Sequence, residues 1–248
     1  MHKKQESIKG ITIRQGLMLL AAMMIPGTAA ALDCSNSIAG QELREPPTLA
    51  AEDRIDTELS ARTVEKCVNG KTKKLKSYID SSLELEYGTD NRPVGPSYVL
   101  DIDPQKPGPV LRIKFTNNLG PSDQKYDCGH HSDQIDLCTN LHTHGFHVSP
   151  KGSDDPSELQ SDYVFIKISP ATQPVQYQFD LPNHHAPGTH WLHAHLHGST
   201  AHQVKEGMAG ALILKGELDD ILEEDYDIDG GKDRTMILAQ LVDSDGNK

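Results

Sequence analysis

Apolar residues recur at every second position over several short stretches. Leu111, Ile113 and Phe115 alternate with polar neighbours, and Val175, Tyr177, Phe179 and Leu181 repeat the pattern. Val164, Ile166 and Ile168 do the same, as do Leu83, Leu85 and Tyr87. Successive side chains on a strand point to opposite faces, so this spacing predicts strands with one buried face. Ala209 to Leu214 (AGALIL) is a continuous apolar run and predicts a central strand. Pro, Gly and Asn turns separate these stretches from about Leu75 onward. Repeated short strands of this kind predict an all-β chain built as a sandwich or barrel.

Outside these stretches the pattern changes. Residues 32–74 are polar, include Pro46-Pro47, and read as an N-terminal extension that is partly helical over Ala50 to Lys66. Thr200 and Gln203 have capping-box spacing after a turn at Gly198, which predicts a short helix. Glu217 to Asp229 is acidic and lacks a core face, so it reads as a solvated linker. Thr235 to Val242 (TMILAQLV) is apolar again. A lone strand cannot bury its face by itself, so this run is expected to begin an incomplete second domain. The expected organisation is therefore 1–31 export signal, 32–74 extension, 75–216 β-domain, and 217–248 linker plus first strand of a missing domain.

The signal reading rests on Lys3, Lys4, Lys9 and Arg14, the apolar run Gly16 to Ile25, and Ala29-Ala30-Ala31 as a small-residue cleavage site. That apolar run is too short to span a bilayer comfortably. Cleavage removes a net +3 and takes the formal charge of −12 to −15. Such acidity excludes nucleic acid and anionic membranes as expected partners. The chain is expected in the periplasm or outside the cell. Four cysteines in an exported chain favour disulfides, with Cys34–Cys67 and Cys128–Cys138 the preferred pairing among three possibilities.

Two histidine pairs change the picture most. His142-Thr-His144-Gly145 and His193-Ala-His195 each place two imidazoles at i and i+2, on one face of a strand. Imidazole is a common ligand of copper and zinc, so His142, His144, His193 and His195 are the candidate metal ligands. Gly145 leaves room for a second ligand strand to approach. His197 continues the spacing, but Gly198 suggests that the chain is turning away there. His147, His190 and His202 are read as structural or solvent-facing, His184 and His185 as exposed in a turn, and His130 and His131 as adventitious binders at most.

LHTHGFHVSP (Leu141 to Pro150) and PGTHWLHAHLHGSTAHQVKEGMAGALIL (Pro187 to Leu214) resemble the first-domain copper motifs of multicopper oxidases. The segment around Ser161 and Asp162 and the strand up to Pro182 also resemble that domain, so the likeness spans roughly residues 75–216. The resemblance implies a cupredoxin-like Greek-key β-sandwich. It implies His142 as ligand of a type 2 copper, His144, His193 and His195 as ligands of paired type 3 coppers, and Asp162 as an acidic residue near the oxygen-reducing site. In the family, electrons from a reducing substrate enter at a type 1 copper and dioxygen is reduced to water at the trinuclear cluster.

No cysteine here is flanked by histidines, and no late His-Pro-x-His run occurs. The chain is thus expected to hold half of the cluster ligands and no type 1 site. By itself it is not expected to turn over; C-terminal cupredoxin domains, or another chain, would complete it as an oxidoreductase. The leading expectation is the copper-binding N-terminal domain of an exported multicopper oxidase. An alternative is a stand-alone exported copper buffer or delivery protein. A zinc site activating water is a third reading, with no general base at defined spacing to support it.

Overall fold

The computed structural model describes residues 34, 45–68, 70–83, 95–226, 228 and 233–241. The expected export signal, Leu85 and Tyr87 lie outside them. Nine strands form among the described residues: β1 (Thr48–Ala51), β2 (Arg54–Val68), β3 (Lys71–Asp80), β4 (Ser97–Asp101), β5 (Val110–Asn118), β6 (His142–His144), β7 (Val175–Asp180), β8 (Gly188–His193) and β9 (Ala209–Lys215). Two short helices follow the second histidine pair, α1 (Thr200–Glu206) and α2 (Glu217–Tyr226).

The strands make two sheets, ordered β1-β4-β9-β8-β6 and β3-β2-β5-β7. Alternation decides which side chains meet between them. On β5, Leu111, Ile113 and Phe115 are fully buried while Arg112 and Lys114 are exposed. On β7, Val175, Tyr177 and Phe179 face the same core. Tyr78, Phe115 and Tyr177 pack edge to face, with centroids 6.0 and 6.2 Å apart, an arrangement aromatic quadrupoles favour. β9 lies between β4 and β8, as its continuous apolar run predicts.

Several expectations need correction. The segment 32–74 does not stand apart as a partly helical extension; β1, β2 and the start of β3 fall within it and belong to both sheets. Ile55, Thr57, Leu59 and Ala61 are buried at alternate positions of β2. Pairing with β3 on one side and β5 on the other overrides the helix-forming character of the Ala, Glu, Arg and Lys residues there. Ile166 and Ile168 are buried as alternation requires, but residues 164–168 form no strand beyond one bridge, Ile168 to Thr139. Side-chain amides take the place of the ladder: Asn140 Nδ2 donates to Val164 O (2.6 Å) and Asn117 Nδ2 to Ile168 O (2.7 Å).

Helix α1 forms where expected but without the capping box. Ser199 is its N-cap, Thr200 Oγ1 donates to Leu196 O (2.9 Å), and Gln203 is buried. Gly207, at φ +117°, ends the helix in the left-handed conformation that glycine adopts without strain. The expected linker after Glu217 is the helix α2, which has no buried residue. Residues 233–241 form no strand, and Met236 and Leu238 are exposed. Both expected disulfides, Cys34–Cys67 and Cys128–Cys138, are present. No helix among the described residues is long and apolar enough to cross a membrane.

Two buried polar anchors fix α1, and through it the segment carrying the second histidine pair. Glu206 accepts from the Lys76 backbone N–H (2.9 Å) and from Lys76 Nζ (2.7 Å) on β3. Gln203 accepts from Thr139 Oγ1 (2.9 Å) and donates to Asp136 O (3.1 Å) and Cys138 O (2.8 Å). Buried polar groups persist only when so satisfied, and these tie α1 to the residues just ahead of β6.

Candidate metal centre

β6 and β8 pair antiparallel, with His142 opposite His193, Thr143 opposite Leu192 and His144 opposite Trp191. Thr143 and Leu192 are buried, so the histidines point to the other face of the sheet. One ligand atom each from His142, His144 and His193 lies within 4.8 Å of the others, the one such group of three or more among the described residues. His195, just past the end of β8, joins them: its ring centroid is 4.8 Å from that of His142 and 5.5 Å from that of His193. The structure therefore brings together all four residues singled out from sequence. His144 Nδ1 and His193 Nε2 stand 3.4 Å apart. Two imidazoles bound tetrahedrally to one ion at about 2.0–2.1 Å would be separated by about 3.4 Å.

Hydrogen bonds set which nitrogens are open. Asp162 accepts from His142 Nδ1 (2.9 and 3.0 Å) and also from the backbone N–H and hydroxyl of Thr143 (2.9 and 3.1 Å). A carboxylate can only accept, so Nδ1 of His142 carries the proton and Nε2 presents its lone pair. His193 Nδ1 donates to Ala194 O (2.9 Å), which leaves its Nε2 open as well. A second ring nitrogen held by a carboxylate or carbonyl is the usual way a ligating histidine is oriented. Desolvation, with His142, His195 and His144 nearby, lowers the pKa of His193 to about 4. Desolvation and His142 also lower that of His195. Both are neutral, as metal ligation requires, at ordinary pH.

Two supporting residues were not anticipated. Asn140 is fully buried; its Oδ1 accepts from the His195 backbone N–H (2.8 Å) and its carbonyl from Tyr78 OH (3.1 Å). It fastens the second pair to the strand of the first. The available signal was its place, two residues before His142 in the same alternation. Trp191 stacks on His193 (4.0 Å, 22°) and on His144 (5.3 Å, 25°) and restricts both rings.

The other histidines do not join this centre. His185 is buried rather than exposed as expected: its Nδ1 donates to Ala186 O (2.8 Å) and its Nε2 accepts from the His147 backbone N–H (2.9 Å). His190 packs edge-on to Phe146 and His185. Gly145, at φ +94°, turns away after His144, and a Cβ there would meet His190 Nδ1 at 2.6 Å. This is the close approach that the glycine was expected to allow. His202 pairs with Asp136 (3.1 Å). His195-Leu-His197-Gly198 repeats the His-x-His-Gly order, yet His197 stacks on His130 instead. All four cysteines are in disulfides, so none offers a thiolate.

Comparison with known proteins agrees with this geometry. Residues 130–219, which contain every ligand candidate, match the family model described as Multicopper oxidase. Laccase-4 of Thanatephorus cucumeris is 30% identical over 132 residues, 52% of this chain but 20% of that protein. The McoA multicopper oxidase from the hyperthermophile Aquifex aeolicus shares the fold at 21% identity and TM-score 0.50, covering 77% of this chain and 33% of its own. A multi-copper oxidase from Pediococcus acidilactici gives 19% identity and TM-score 0.49 over 75% of this chain and 32% of its own. The chain thus spans a fifth to a third of the length of these relatives. Residues 130–219 thus resemble the multicopper oxidase family, and the chain has a cupredoxin-like β-sandwich fold.

Proposed function

We propose that this chain is the copper-binding first domain of an exported multicopper oxidase and supplies half of a trinuclear cluster. His142 would ligate the type 2 copper, and His144, His193 and His195 the type 3 pair. The observation that carries this reading is the convergence of the two pairs on one face, with Nε2 of His142 and His193 left open by bonds at Nδ1. The donor set is all imidazole, which suits copper, and the matched family supplies the choice over zinc.

Copper, when bound, supplies the one-electron redox chemistry through which the family reduces dioxygen. The chain's own residues do the rest. Asp162 holds the proton on His142 Nδ1, fixes the ring through Thr143, and places a carboxylate beside the cluster. Asn140 locks the relative position of the two pairs. Trp191 covers one side of His144 and His193. The remaining ligands, the type 1 site and the reducing substrate's pocket belong to further cupredoxin domains, in the same polypeptide or another chain.

Copper reconstitution of the disulfide-bonded mature chain tests this. The expected result is bound copper without strong blue absorbance, with the half-site's share of that copper lost in the His142→Ala/His195→Ala double variant. Joining the chain to domains that carry a His-Cys-His segment should then yield oxidase activity. Copper binding without activity in that joined protein would favour a stand-alone copper carrier, and stoichiometric zinc with no copper uptake would reject both.

A further inference from the structure

The loop between β5 and β6 holds a second histidine group that the copper half-site does not use. Ser132 N–H donates to Gly129 O (2.9 Å), closing a turn whose two central residues are His130 and His131. Adjacent residues on a strand would face opposite ways; at the centre of a turn their side chains can meet. They do: His130 Nδ1 and His131 Nε2 are 3.4 Å apart, and this is each ring's hydrogen-bond-range contact among the described residues. The spacing equals that between His144 Nδ1 and His193 Nε2 in the half-site. It is long for a direct hydrogen bond but fits two nitrogens at a tetrahedral angle about 2.0–2.1 Å from one ion.

Three further features make the place a built one. The Cys128–Cys138 disulfide staples the loop immediately ahead of the turn. His197 lies flat against His130, with centroids 4.1 Å apart and planes within 11°. It reaches there from the strand end carrying His195, so a third imidazole borders the pair. Desolvation and the neighbouring His197 and His131 rings also lower the pKa of His130, which keeps its lone pair available.

We propose that His130 and His131 form a second, exposed metal site that takes one borderline divalent transition-metal ion, Zn(II) or Cu(II), with water completing the coordination and His197 packed flat against the His130 ring to hold it in place. The donors are imidazole nitrogens and water; the nearby sulfurs are tied in a disulfide, so nothing favours a soft ion. The site stands independently of the copper half-site, since it uses none of the same nitrogens.

Calorimetric titration of the disulfide-bonded mature chain with Zn(II) tests it. Two classes of site are expected. His130→Asn/His131→Asn removes one equivalent and leaves the other class, whereas His142→Ala/His193→Ala removes only the other. His197→Gln weakens the second class several-fold without changing stoichiometry. Unchanged stoichiometry in the His130→Asn/His131→Asn variant would overturn the proposal. In wild-type protein, Zn(II) should also protect His130 and His131 from diethyl pyrocarbonate, read by peptide mass spectrometry. Equal modification with and without Zn(II) would overturn it as well.

Discussion

The cluster of His142, His144, His193 and His195 and the group of His147, His185 and His190 use the same two stretches of chain, yet they have different chemistry. In the first, the bonds from Nδ1 of His142 and His193 to Asp162 and Ala194 O leave Nε2 open toward a shared space. In the second, His185 has both ring nitrogens engaged, one donating and one accepting. His190 Nε2 is buried without a hydrogen-bond partner between aromatic rings, and among the described residues it belongs to no group of three converging donors. A metal site is therefore defined by which nitrogens are left open and converge. The number of histidines does not define it.

The contrast breaks most visibly under substitution. In the His130→Asn/His131→Asn background, His142→Ala/His195→Ala should abolish copper retention by the chain, measured by equilibrium dialysis. His185→Ala should leave copper stoichiometry unchanged. Removing the carboxylate that orients His142 is the next largest effect: Asp162→Asn should weaken copper binding by about 10–100-fold, as loss of such supporting bonds usually does. A change of less than twofold would mean that Asp162 does not orient the ligand.

His185→Ala and Asn140→Ala sharpen the comparison through stability. Each removes the acceptor of a part-buried bond, from the His147 N–H in one case and the His195 N–H in the other, at a cost of about 0.5–1.5 kcal/mol. Both should lower Tm in calorimetry, but only Asn140→Ala should also weaken copper binding. Equal copper affinity in the two variants would remove Asn140 from the site's support.

The smallest effect is pH dependence of the metal-free protein. The folded chain keeps His193 neutral down to about 4, and burial lowers His190 and His195 too. The unfolded chain protonates these residues near the ordinary histidine value of about 6.5. Between those values the unfolded state binds more protons, so stability is present above about pH 6.5 and is lost as pH falls toward about 4. Tm should decline through that window, and a flat profile would contradict the burial of these rings.

The parts of the fold readable from sequence were those fixed by local spacing. Alternation marked β5 and β7, a continuous apolar run marked β9, and the i, i+2 pairs marked the four ligand candidates, because a strand needs no distant information to aim two side chains at one place. β2 was not readable. Its strand state comes from ladders to β3 and β5, and its Ala, Glu, Arg and Lys residues are equally at home in a helix. His185 looked exposed within Pro182-Asn-His-His-Ala-Pro187, since only the approach of the His147 backbone buries it. Asn140 and Asp162 show the same limit: sequence could suggest polar residues near the pairs, but not which atoms they hold. Glu217 to Tyr226 was correctly read as lacking a core face, though it forms a helix.

Long-range 15N NMR of the histidine rings, recorded on the metal-free chain and again with diamagnetic Cu(I), addresses the central distinction directly. The account predicts Nδ1–H tautomers for His142 and His193, with their Nε2 resonances moving on Cu(I) addition while both nitrogens of His185 stay in place. Nε2–H tautomers at His142 and His193, or a Cu(I) response at His185 equal to theirs, would contradict it.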